Sequence, residues 1–238
     1  MEIINKKNDA LVFKAEMEES LANTLRRYLN EISVLAIDDV EIVKNDSPLY
    51  DETIAHRIGL IPIKTGKEVN EKTQGNLKLS VKKEGKVYSG DFDGSVEVVY
   101  DKIPITILAK DQEVELTVDV RAGKGKEHAR FSPGLMFYRR SAEITMKKEF
   151  KEEVKKICSE NEIKEKGDKI IVIDDKTKEV CDLCEGICER AKEKSETTYG
   201  KELILNVESF GQMEPADIFK KSIATLKKDL TEISKKIK

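Results

Sequence analysis

The 238-residue sequence has no tryptophan, and aromatic residues make up only 5% of it. Its two histidines stand alone, His56 inside a helical pattern and His128 beside a turn, and both are read as structural. No apolar run approaches the ~20 residues that a bilayer-spanning helix needs. The amino terminus alternates as MEIINKKNDALVFKAEM and does not form a signal peptide. On this reading neither a membrane-spanning helix nor a secretory leader is expected, and the protein is expected to be cytoplasmic. Neither charge sign dominates: 43 Lys and Arg stand against 46 Asp and Glu, so no basic excess points to nucleic acid as the main partner. Gly123-Lys-Gly-Lys126 lacks the G-x4-G-K-[ST] spacing of a phosphate loop and reads as a mobile turn. Cysteine is confined to four positions, Cys158, Cys181, Cys184 and Cys188, all in the most charged third of the chain.

Charged residues make up 37% and apolar residues 39%, and the length suffices to bury one large core or two modest ones. The abundance of Lys, Glu and Ile suits a thermophile. The richest block runs from Asn23 to Pro62. Leu21, Leu25, Tyr28, Leu29 and Ile32 recur on one face of a helix that begins near Ser20, and Arg26 and Arg27 lie off that stripe. Val34 to Ile37 and the alternation through Val40 and Ile42 predict a strand leaving the helix, ended by the turn cluster Asn45 to Pro48. A second helix carries Ile54, Arg57, Ile58 and Leu60 and closes at Gly59 and Pro62.

Elsewhere an opening hairpin is expected to turn at Lys7 to Asp9, and β alternation appears at Leu77, Leu79 and Val81 and from Val114 to Val120. Segments near Leu135 to Met146 and Leu203 to Val207 predict an antiparallel pair with a charged insertion at its tip, an excursion that loop-closure entropy tolerates. At the carboxyl end Pro215 suits a first helical turn, and Phe219, Ile223, Leu226, Leu230, Ile233 and Ile237 follow in steps of four and three. That is a heptad seam, suited either to the chain's own core or to a partner helix.

Asn23-Thr-Leu-Arg-Arg27, Ala36-Ile-Asp-Asp-Val-Glu-Ile42 and the run from Asp51 to Pro62 together resemble the D-type subunits of archaeal DNA-directed RNA polymerase. That family is related to the third-largest subunit of eukaryotic polymerase II and to the bacterial alpha amino-terminal domain. His128-Ala-Arg-Phe-Ser-Pro133 and Val207-Glu-Ser-Phe-Gly211 are similar to two further family signatures in the expected order. The resemblance implies an α+β fold: a discontinuous dimerisation domain over residues 1–45, 135–148 and 201–238, a β-rich insert domain over 46–134, and a small cysteine-containing, ferredoxin-like insertion over 149–200. It implies a noncatalytic scaffold that pairs with subunit L and recruits subunits N and P and the second-largest subunit, touching DNA only through the complex. Asn23, Leu25, Arg26, Arg27, Leu29, Arg57, Phe219, Ile223, Leu226, Leu230 and Ile233 would carry the interfaces. The arginines suit bidentate contacts with a neighbouring subunit, or else local ion pairs with Asp38 or Asp39.

In a cytosolic chain disulfides are disfavoured, so Cys181-x2-Cys184-x3-Cys188 with the distant Cys158 suggests a metal or cluster. Some members of the family hold an iron-sulfur cluster at this point, which implies a 3Fe-4S or 4Fe-4S centre here. The pattern departs from the ferredoxin run C-x2-C-x2-C-x3-C-P in its second spacing, its missing fourth cysteine and its missing proline. Zinc in a four-thiolate site and no ligand at all are the alternatives. The zinc cysteines of the eukaryotic relatives have no counterpart in the insert. Asp91-Phe-Asp-Gly94 is similar to the magnesium loop of the largest polymerase subunit, but Ser95 replaces its third aspartate, and Asp-Gly reads as a hairpin turn. A free-standing iron-sulfur or redox protein is the competing function.

Overall fold

The computed structural model describes all residues except 67, 159, 160 and 238. The chain runs through β1 (Glu2–Lys6), β2 (Ala10–Glu16), α1 (Glu19–Tyr28), β3 (Ser33–Asn45), α2 (Asp51–Gly59), β4 (Gln74–Val81), β5 (Gly85–Tyr88) and β6 (Asp93–Gly94). It continues through β7 (Pro104–Leu108), β8 (Val114–Lys124), β9 (Gly134–Lys147), α3 (Lys151–Ile157), β10 (Ile163–Lys166), β11 (Lys169–Asp174), α4 (Cys181–Arg190), β12 (Glu196–Ser209) and α5 (Pro215–Lys236). Contacts gather into two compact units, one of residues 1–24 with 136–207 and the other of residues 25–135 with 208–238.

The first unit is built on a six-stranded sheet in the order β1-β2-β12-β9-β11-β10. The opening hairpin forms as its alternation predicts, with β1 and β2 antiparallel and Lys7 N–H donating to Ala10 O at 2.8 Å. The pair expected from Leu135 to Met146 and Leu203 to Val207 is also present, as β9 beside β12. Gly134 lies against Glu208 and Gly200 against Ser141, so the two strands run in opposite directions. Every position of β12 from Leu203 to Val207 is buried, so both faces of the sheet are covered there. The charged insertion at the tip is not a separate module. Its β11 pairs with β9 over residues 169–174 and its β10 pairs with β11, so the excursion widens the same sheet by two strands.

The second unit centres on a four-stranded sheet in the order β3-β8-β4-β6, with β5 and β7 as a separate antiparallel ribbon. The alternations at 77–81 and 114–120 give the inward residues Leu77, Leu79, Leu116, Val118 and Val120, all buried. Ile54 and Ile58, one helical turn apart on α2, pack into the same core with Leu35 and Ile37 of β3. The sheet takes in Ser33–Asn45, residues that the family resemblance places in the dimerisation domain.

Three local expectations are corrected. Leu21 is 44% exposed, and the buried face of α1 is formed by Ala22 and Leu25, continued by Leu29. Asp93-Gly94 is no hairpin turn but a two-residue strand against Leu77 and Lys78 of β4. A Cβ at Gly94 would meet Asn76 O at 2.2 Å, so close backbone approach is what requires glycine there. Gly123 belongs to β8 and not to a mobile turn, because Phe131 stacks directly on it. A Cβ at Gly123 would stand 2.8 Å from three atoms of that fully buried ring. Gly123→Ala is therefore expected to destabilise the chain by about 1–3 kcal/mol through overpacking, read as a lowered denaturant midpoint; an unchanged midpoint would show that the ring is free to shift.

Candidate assembly surfaces and the cysteine core

The block singled out by sequence divides into side chains that hold it in place and side chains that face outward. Leu25 and Leu29 are 3% and 2% exposed and belong to the chain's own core. Asn23, Arg26 and Arg27 are on the exposed side of α1, and His56 and Arg57 on the exposed side of α2. Arg57 Nη2 donates to Pro104 O at 2.5 Å, which seats the last turn of α2 on the start of β7.

The carboxylate at Asp38 is taken by two arginines outside this block. Arg121 Nε lies 2.9 Å from Asp38 Oδ2 and Arg130 Nη2 lies 2.8 Å from Oδ1. Arg130 Nη1 also donates to Ile37 O at 2.9 Å, and both guanidinium groups sit over the ring of Phe131 at about 5 Å. The Ala129-Arg-Phe131 signature thus acts as a clamp on β3, a role that the sequence reading did not assign. The signal available was an arginine beside a buried-type aromatic, opposite a strand carrying an acid. Next to this clamp lies a groove of about 800 Å³ lined by Asp38, Asp39, His56, His128, Leu60 and Phe210. Both histidines of the chain therefore border one surface depression.

The carboxyl helix has two halves. Pro215, Ile218, Phe219 and Ser222 are buried in the second unit, with Pro215 in the first turn as expected. After Ser222 burial ends: Ile223 and Leu226 are half-buried, while Leu230, Ile233 and Ile237 are 56%, 53% and 81% exposed. Tyr28 hydrogen-bonds Asp229 across to this helix. Burial and then the Asp229 charge raise the phenol's pKa above its ordinary value.

The four cysteines are buried in the first unit, in one cluster with Ile144, Met146, Val154 and Ile187. Cys181, Cys184 and Cys188 lie on α4, and Cys158 ends α3. Cys158 Sγ and Cys184 Sγ stand 3.8 Å apart, but Cys181 Sγ donates to Asp174 Oδ2 at 3.1 Å. Seven residues of helix separate Cys181 from Cys188 by about 10 Å, whereas thiolates on one zinc ion lie within about 5 Å of each other. Among the described residues no three His, Cys, Asp or Glu groups converge as metal ligands. In this arrangement the cysteines pack as small apolar core residues.

The polar anchor of that core is Asp174, fully buried, which sequence reading also missed. Arg139 Nη2 binds Asp174 Oδ1 at 2.9 Å and reaches Lys176 O at 2.8 Å, while Val180 N–H and Cys181 N–H donate to Asp174 Oδ2. The carboxylate therefore satisfies free amides at the start of α4, where the helix dipole favours an anion. Desolvation raises all four thiol pKa values, and Cys181, hydrogen-bonded to Asp174, is pushed up to about 12. A raised folded-state value contributes stability that is present below the ordinary pKa of 9.0 and is lost as pH climbs towards 12.

Over residues 40–134 the chain matches the RNA polymerase Rpb3/RpoA insert domain family. That match places an Rpb3/RpoA-type insert domain within the chain. A protein of Thermococcus kodakarensis is 36% identical over 186 residues, covering 72% of each chain. One of Methanosphaera stadtmanae is 31% identical over 254 residues, covering 92% of this chain and 91% of the relative. One of Archaeoglobus fulgidus is 33% identical over 193 residues, covering 72% and 73%. All three are named DNA-directed RNA polymerase subunit Rpo3, and the chain belongs to that family of archaeal polymerase subunits. Among the described residues no helix is long and apolar enough to cross a membrane.

Two outcomes test the cysteine core. Asp174→Ala leaves the Arg139 guanidinium without its carboxylate and is expected to destabilise the unit by about 3–5 kcal/mol, measured by urea denaturation. The wild-type melting temperature is expected to fall above pH 9 as the thiols ionise, in step with their modification by iodoacetamide; thiols that react fully at pH 7 in the folded protein would contradict their burial.

Proposed function

We propose that this protein is a noncatalytic assembly subunit of the polymerase, and that it pairs with the small subunit L through the outer half of α5. The pair then forms a platform for subunits N and P and for the second-largest subunit, with DNA reached only through the assembled enzyme. Nucleotidyl transfer is left to the large chains. One observation carries this reading: Leu230, Ile233 and Ile237 continue the apolar periodicity of α5 beyond the point where the chain's own core ends. A heptad stripe without cover is what a partner helix packs against by knobs into holes.

In this reading residues 1–45, 135–148 and 201–238 form the dimerisation domain, 46–134 the insert, and 149–200 an insertion apart from assembly. Leu25, Leu29 and Phe219 support the interface from beneath, because they are buried and fix the helices that present it. Ile223 and Leu226 lie at its edge, and Leu230 and Ile233 at its centre. Asn23, Arg26, Arg27 and Arg57 are outward-facing and suited to charge-assisted contacts with carboxylates or carbonyls of the second-largest subunit.

Replacing both Leu226 and Leu230 by Glu removes two apolar seam contacts of about 2 kcal/mol each, a weakening of a hundredfold or more. Co-purification of the doubly substituted chain with subunit L should be lost, while Cys181→Ser with Cys184→Ser should leave it intact. Persistence of the pair after both leucine changes would refute the interface. Loss after the cysteine changes would tie assembly to the insertion instead.

A further inference from the structure

The outer half of α5 carries a second pattern beside its apolar seam. Ile223, Leu226, Leu230, Ile233 and Ile237 occupy alternating a and d positions, which places Lys227 and Lys236 on the two flanks, at e and g. Over Pro215–Lys236 the helix has six lysines against two aspartates and one glutamate, whereas the whole chain is net negative at -3. Elsewhere lysines of the same unit are matched by acids, as in Lys124 with Glu71 at 2.6 Å and Lys126 with Glu31 at 2.7 Å. Among the described residues no ion pair reaches Lys227, Lys235 or Lys236. The acid that does occupy a flank, Asp229, is engaged by Tyr28 of the same chain.

We propose that the pairing helix laid on this seam is flanked by carboxylates, with the lysines beside the seam of α5 selecting and steering it. The proposal rests on the reading of α5 as a pairing helix and adds the chemistry of what it pairs with. Two copies of α5 would bring two lysine-rich helices side by side, and like charges at a docking surface oppose association. An acidic helix gains attraction at the same positions, while the long lysine stems cover the edges of the apolar seam and keep their ammonium groups in water. Such rim charges act chiefly on the rate of encounter and on its sensitivity to salt.

The test is a salt series of association rate and affinity for purified subunit L and the full chain, as wild type and as the triple variant Lys227→Glu, Lys235→Glu, Lys236→Glu. At about 0.05 M salt the triple variant should bind about tenfold or more weakly, mainly through a slower association rate, and the gap should close towards about 1 M salt. Glutamine at the same three positions should give an intermediate loss, and the wild-type chain alone should be monomeric by light scattering. Unchanged or tighter binding by the triple variant at low salt, or a wild-type homodimer as tight as the complex, overturns the proposal. If the charge variants bind normally while Leu226→Glu with Leu230→Glu abolishes pairing, the electrostatic selection fails and the pairing helix stands. If pairing survives the leucine changes, the pairing reading itself fails.

Discussion

Pairing of β3 with β8 along nearly the whole length of both strands is the constraint on which the second unit depends. One edge of β3 is fixed by that ladder. Its remaining polar groups are held by separate pieces of chain: Thr65 Oγ1 accepts from Leu35 N–H at 3.1 Å, and the Arg130 guanidinium binds Ile37 O and the Asp38 carboxylate. Thr65 N–H in turn donates to Gln212 O at 2.9 Å, immediately ahead of α5. A strand that follows α1 directly is thereby connected through two hydrogen bonds to the entry of the carboxyl helix. The register of β3 and the position of α5 are therefore linked quantities. A slip of one residue in β3 would turn Leu35 and Ile37 out of the core and misplace the groups that anchor the helix.

Much of this was legible because the relevant signals are periodic and local. Alternation at Leu77 to Val81 and Val114 to Val120 specifies half-buried strands whatever they pair with, and Ile54 and Ile58 at helical spacing specify an inward face. The opening hairpin and the β9–β12 pair were readable for the same reason. What was not legible lies in close approaches between distant segments. Nothing local distinguishes a glycine that turns the chain from one that admits a neighbouring backbone, which is why Gly94 and Gly123 were misread. The partners of Asp38 lie more than 80 residues away, at Arg121 and Arg130, beyond any window of spacing.

The cysteines show how one spacing supports two physical outcomes. C-x2-C-x3-C has ligand-like intervals when the backbone loops round a metal, but in a helix the same intervals form one apolar stripe. In this chain the run lies on a helix that begins at its first cysteine, where the Asp174 carboxylate accepts from the amides of Val180 and Cys181. The Arg139 guanidinium pairs with that buried carboxylate, and a carboxylate left unpaired in the same position would be costly. The insertion then widens an existing sheet instead of standing alone, and its apolar residues Ile170 and Val172 join the thiols in a single cluster.

The carboxyl helix presents the converse case, in which sequence periodicity is continuous and physical environment is not. The seam from Phe219 to Ile237 reads as one object, yet Ser222 marks the end of the half that the chain buries for itself. Periodicity reports only that an apolar stripe exists; which atoms cover it depends on tertiary contacts. The distinction matters for function, because a helix wholly packed on its own unit would leave nothing to offer a partner, and one wholly unpacked would not be held in place to offer it. Buried Ile218 and Phe219, reinforced by Lys221 Nζ on Gly66 O and by Tyr28 on Asp229, secure the base. The remaining turns are thereby presented with reduced freedom, which lowers the ordering entropy that association must overcome. A surface held in this way can be selective at its rim, where unpaired lysines beside Leu230 and Ile233 discriminate among apolar helices that the seam alone would accept equally.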